Sequence, residues 1–153
     1  MADILEIPKR PIRKSLGEDF KVTSWDVLKP PFEALLERKI DSVVELKKWF
    51  LDRSELESVI AEDLAWRYIQ MTCFTENEDY RKHYQDFIEN IQPQIAPVSD
   101  KLNKKAADSP LLDALSKIQG YDIMIRSLRK EIEIFREENV PLFTEINIET
   151  QKY

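Results

Sequence analysis

Along most of the chain the apolar positions recur at steps of three and four, the period of an α-helix packed on one side. Nowhere do apolar and polar residues alternate for long with the period of two that marks a strand. Ser24 precedes Trp25-Asp26-Val27-Leu28, which reads as a short helical turn ended by Pro30 and Pro31. Pro31 then opens a helix carrying Phe32, Leu35 and Leu36. Ser42-Val43-Val44-Glu45 is a capping box, in which the serine hydroxyl and the glutamate carboxylate each satisfy a backbone N–H that the helix leaves free. Val43, Leu46, Trp49 and Phe50 follow it at helical spacing. Ser54-Glu55-Leu56-Glu57 reads as a second box, starting a helix with Leu56, Ile60, Leu64 and Met71 on one stripe and Val59, Trp66 and Ile69 widening it. Thr75-Glu76-Asn77-Glu78 reads as a third.

Beyond it, Tyr80, Tyr84, Phe87, Ile91, Ile95, Val98 and Leu102 form a helical stripe on the order of 35 Å long. Pro93 and Pro97 lie inside that stripe and predict a kink, since the phase of the stripe continues past both. Ser109-Pro110 reads as the start of a short helix with Leu111, Leu112, Leu115 and Ile118, closed by Gly120. Tyr121, Met124, Ile125, Leu128, Ile132 and Phe135 mark the next helix, ending near Asn139, and Pro141 opens a last one through Ile146 to Tyr153. Its pattern, Leu142, Glu145, Ile146, Glu149, Tyr153, meets no stop residue, which predicts a chain cut from something longer. The expected fold is all-α: an up-and-down array of about six or seven helices over residues 23–153, preceded by an extended arm over residues 1–22. Pro8, Pro11 and Gly17 break any period in the arm, and Lys9, Arg10, Arg13 and Lys14, offset by Asp3 and Glu6, make a field too weak to favour an acidic partner over a solvated leader.

Composition narrows the chemistry. The 153 residues include two glycines, one histidine and one cysteine. Gly17 and Gly120 are too far apart for a phosphate-binding loop, and His83 alone cannot supply a His-Glu-x-x-His zinc helix or a di-iron bundle. Cys73 has no partner in the chain for a disulfide or a Cys-x-x-Cys site. Asp79 and His83 stand one turn apart but make only half a metal site, and Cys73, ending an apolar helix, reads as a small buried hydrophobe. The acid pairs Glu55/Glu57, Glu62/Asp63 and Glu137/Glu138 read as solvated faces or caps, because a working pair must converge on one atom. Arg129 is spaced to pair with Glu133. Trp49 and Trp66 lie on or beside apolar stripes and are explained by packing; with Trp25 they could also contribute to an interface. A net charge of −6, from 23 basic and 29 acidic residues, disfavours nucleic acid or an anionic membrane as partner. No apolar run approaches eighteen residues and the first thirty hold no signal-peptide core, so a cytoplasmic location is expected.

Taken together, Trp25-x-x-Leu-x-Pro30-x-Phe-x-x-Leu-Leu, Trp49-Phe-Leu-Asp-Arg-Ser-Glu-Leu56, Trp66-Arg-Tyr-Ile-x-Met-Thr72 with Thr75, Ile91-x-Pro-x-Ile-Ala-Pro97 with Lys101-Leu-Asn-Lys-Lys105, and Phe135-Arg-Glu-Glu-Asn-Val-Pro-Leu142 resemble the N-terminal region of oligoendopeptidase F-like zinc peptidases, of the thimet oligopeptidase type. The resemblance spans residues 20–153. It implies a longer, mostly helical parent enzyme whose His-Glu-x-x-His helix and a later glutamate bind zinc for hydrolysis of oligopeptides, in a channel of which the N-terminal helices form a wall or lid. None of those zinc residues is present, so no catalytic or metal position carries over to this chain, no cofactor is expected in it, and the channel-facing residues are not assigned. The implied partners are a C-terminal catalytic domain of the same polypeptide and an oligopeptide substrate. A free-standing helical protein-interaction module is the alternative.

Overall fold

The computed structural model describes residues 12–150; the prolines and basic residues of the arm up to Pro11, and Tyr153, lie outside the described residues. Seven α-helices follow one another among the described residues, with no strand: α1 (Trp25–Glu37), α2 (Val43–Cys73), α3 (Glu78–Asp86), α4 (Gln92–Ala107), α5 (Leu112–Ser116), α6 (Tyr121–Ile134) and α7 (Asn139–Thr150). The all-α array that the periodicity predicts is the fold observed. None of these helices is long and apolar enough to cross a membrane.

Several element boundaries differ from the sequence reading. Helix α1 runs unbroken through Pro30 and Pro31. Leu28, Phe32 and Leu35 are all buried, so one apolar face is kept in phase across the two lost hydrogen bonds. The Ser42 box is real: Ser42 Oγ accepts from the Glu45 N–H at 3.2 Å, and the Glu45 carboxylate accepts from the Asp41 N–H at 2.8 Å. The Ser54 box is not a helix start, because Leu46, Trp49, Leu56 and Ile60 form one continuous buried stripe and α2 passes straight through. The third start is shifted, with Asn77 rather than Thr75 as the cap, its side chain accepting from the Asp79 N–H at 3.0 Å.

The expected disturbance ahead of Pro93 takes the form of a widened, π-helical turn, Phe87–Ile91, joining α3 to α4. The Gln92 N–H bonds to Phe87 O five residues back, and the chain stays helical into the prolines while Phe87, Ile88 and Ile91 remain buried. Gly120 closes the short α5 region in the left-handed conformation, φ 92°, that L side chains rarely adopt.

Three polar ties lock the core. Trp49, fully buried, donates Nε1–H to Leu35 O at 2.8 Å, fixing α2 against the end of α1. Lys105 of α4 donates to three carbonyls at that same end, Leu35, Leu36 and Arg38, at 3.1, 2.5 and 2.5 Å. Arg67 of α2 reaches Asp63 at 2.6 Å, His83 O at 2.8 Å and Val22 O at 2.7 Å, and its guanidinium lies over the Phe87 ring. It thereby binds α2, α3 and the arm together. The described part of the arm, free of helix as expected, is held down as well: the Glu55 carboxylate accepts the N–H groups of Lys14, Ser15 and Leu16 at 2.7 to 2.9 Å. Burial would raise the Glu55 pKa, but those three hydrogen bonds outweigh it and lower it.

Candidate functional site

The side chains that the sequence marks for chemistry do not converge. Asp79 and His83 are exposed on α3, and among the described residues no three His, Cys, Asp or Glu side chains come together to hold a metal ion. The described residues therefore do not fit zinc, which needs three or four such donors around one point. Cys73 is exposed rather than buried. Trp66 also departs from its reading: it is 57% exposed, while Trp49 on the same helix is 0%. Arg129 pairs with Asp113 at 3.2 Å, joining α6 to α5, and Glu133 takes Lys130 instead. Glu55, read as solvated or capping, is the anchor of the arm.

A coherent groove lies elsewhere. A groove of about 590 Å³ runs between α4, the end of α6 and the start of α7, with Pro93 and Ala96 on one wall and Phe135, Val140 and Phe143 on the other. Helix α4 builds its floor because Gln92, Ala96, Ser99, Asp100 and Asn103 recur at steps of four, three, one and three, so they share one side of the helix. Small side chains at Ala96 and Ser99 leave the space open. This stripe lies one residue on from the apolar stripe Ile91, Ile95, Val98, Leu102, and it was legible as a second, polar line of the same period.

Buried hydrogen-bond acceptors lie beneath the floor. Asp100 is 7% exposed and Asn103 5%, yet Asp100 Oδ1, Asn103 Oδ1 and Gln92 Oε1 are buried without a hydrogen-bond partner. The other Asp100 oxygen is held by Lys104 at 2.5 Å. Asn103 Nδ2 donates to Glu131 at 3.0 Å, which fixes the amide so that its oxygen is the free end. Leaving such an acceptor buried and unpaired costs about 1–3 kcal/mol. Arg136 at the rim has its guanidinium bonded to the Glu133 and Phe135 carbonyls.

Apolar residues crowd the edge of the groove. Ile134, Leu142, Phe143 and Ile146 are 55–70% exposed around the α6–α7 junction, and α7 buries no residue. Comparison with known proteins identifies this arrangement of helices. The family model of the peptidase M3 N-terminal domain matches residues 18–135, from the anchored end of the arm to the residue that closes α6. No curated protein and no solved structure matches. The match takes in the core helices, the π-helical turn and the α4 floor of the groove together, and the chain belongs to the peptidase M3 N-terminal domain family.

Proposed function

We propose that this chain is the non-catalytic N-terminal domain of an oligoendopeptidase F-like zinc peptidase and forms one wall or lid of the channel that admits its oligopeptide substrates. The observation that carries the reading is the bare apolar surface of Ile134, Leu142, Phe143 and Ile146 along a groove with unpaired acceptors beneath its floor. A large exposed apolar patch beside a cleft marks a surface made to be covered. A catalytic domain of the same polypeptide covers the patch, the Ile134 and Phe143 edge of the groove included. The zinc and the residues that activate water belong to that other domain; this one contributes shape. Its place is the cytoplasm, where the exposed thiol of Cys73 stays reduced.

The purified 153-residue chain should hold no stoichiometric zinc and leave fluorogenic oligopeptides uncut, whereas the polypeptide that includes the catalytic domain should bind zinc and cut them. Zinc bound one to one by the short chain, with turnover that a chelator abolishes and zinc restores, would sink the reading.

A further inference from the structure

We infer that α7 is a strap: a helix that lifts off the groove beside α4 and α6 and settles back while the helices before it stay folded. The inference does not rest on the channel-wall reading, since it concerns only how this chain holds its own last described helix.

Burial separates α7 from the two helices it lies against. Helix α4 buries Leu102 and Ala106, and α6 buries Ile125 and Leu128, whereas α7 buries no residue over Asn139–Thr150. Ile148 is its side chain packed against the core, half-buried, while Leu142, Phe143 and Ile146 are more than half exposed. The free energy of a local opening follows the apolar contact given up, so α7 opens far below the cost of unfolding the core. The groove itself shows the loose fit: Val140, Phe143 and Thr144 of α7 face Pro93 and Ala96 of α4 across about 590 Å³ of open space, where packed helices would interdigitate.

The joint allows the motion. Helix α6 ends at Ile134, and Phe135 follows with φ −64° and ψ 132°, an extended residue between two helices. Helix α7 then starts on turn bonds of its own, the Asn139 N–H to Arg136 O and the Val140 N–H to Glu137 O, both 3.0 Å. Rotation about Phe135 and Arg136 therefore moves α7 as a body without unwinding α6, the usual behaviour of a hinge at an element end. The family match ends at this same joint, at Phe135, and leaves α7 outside the matched residues. Buried groups favour the open position as well. Gln92 Oε1, Asp100 Oδ1 and Asn103 Oδ1 have no hydrogen-bond partner, and their residues line the groove of which α7 is one wall. Lifting that wall widens the approach for water, which donates to such acceptors.

Native-state hydrogen exchange of the 153-residue chain, followed by NMR at several low urea concentrations, tests the strap. The amides from Phe143 to Thr150 should be protected, but at least about tenfold less than those from Ile125 to Ile134, and their exchange should hardly respond to urea, because a local opening exposes little surface. Ile148→Ser should weaken protection in α7 by about fivefold or more and leave both the α6 amides and the urea midpoint of tryptophan fluorescence where they were. Protection in α7 within tenfold of α6, no protection in α7 at all, or an Ile148→Ser chain that loses α6 and α7 together would each overturn the inference. None of these results bears on zinc or turnover, so the channel-wall reading stands or falls separately.

Discussion

At the scale of single residues, the buried charges of this domain are structural ties, and their titration is where they can be tested. Asp52 is 8% exposed and receives Arg38 at 2.6 Å and Lys48 at 3.2 Å. Burial raises its pKa, but the hydrogen bonds and charges of those two cations outweigh burial and hold it below the ordinary aspartate value. A folded pKa below the unfolded one means that the unfolded chain binds the proton first, so this contribution is whole above about pH 5 and drains away as pH falls through about 4 and below. Asp52→Asn should cost about 2 kcal/mol at pH 7 in urea denaturation, and the difference from the parent chain should shrink toward zero near pH 3. Glu55 is lowered in the same direction by its three backbone donors and will add to the acid slope that remains. A gap between Asp52→Asn and parent that stays constant with pH would show that the loss is packing and not charge. Lys105 shows the same sign in a higher range: burial, and then the Arg38 charge, lower its pKa, so the folded state sheds that proton more readily than the unfolded chain and stability gains as pH rises through the lysine range.

At the scale of elements, two stretches that look alike in sequence have different fates, which gives a direct test of the helix boundaries. Ser42 caps α2 and Ser54, exposed in its interior, caps nothing. Ser42→Ala should lower stability by about 1 kcal/mol, while Ser54→Ala should be neutral or raise it by about 0.5 kcal/mol, since alanine is the better interior residue. Matching losses in urea denaturation would mean that α2 is two helices. The comparison also shows what a sequence makes legible. Helix existence, phase and core were readable because Leu28, Phe32, Trp49, Leu56, Phe87, Leu102 and Leu115 all keep the helical period that burial imposes. Boundaries were less so. A capping box is a local signal, and the continuous stripe through Leu46, Trp49, Leu56 and Ile60 overrides it by tertiary packing; the same holds for Pro30 and Pro31 in α1. The widened turn before Pro93 could be located from the proline but its form could not, because the choice between break, kink and π-helical turn depends on which side chains stay buried.

At the scale of the whole molecule, the surface divides into a solvated majority and a few apolar regions that the fold itself does not use. The acceptors beneath the groove were written in α4 as Gln92, Asp100 and Asn103, but only the packing of α6 and α7 beside them shows that their oxygens go unpaired, a fact no single helix contains. The bare rim is likewise visible only in the fold: Leu142 and Ile146 sit one turn apart on α7, in the helical pattern the sequence shows there, and they are 55% and 59% exposed. Such a pair contributes almost nothing to the stability of the isolated chain and a good deal to its tendency to self-associate. Replacing both by lysine should therefore leave the urea midpoint within about 0.5 kcal/mol of the parent, because surface changes away from packed features rarely exceed that. The same double variant should reduce the concentration dependence of the mass measured by light scattering, since two new positive charges on one face oppose burial against a second copy. A large loss of stability in the double variant would place this face inside the fold of the isolated domain, and the apolar rim would no longer argue for a covering domain.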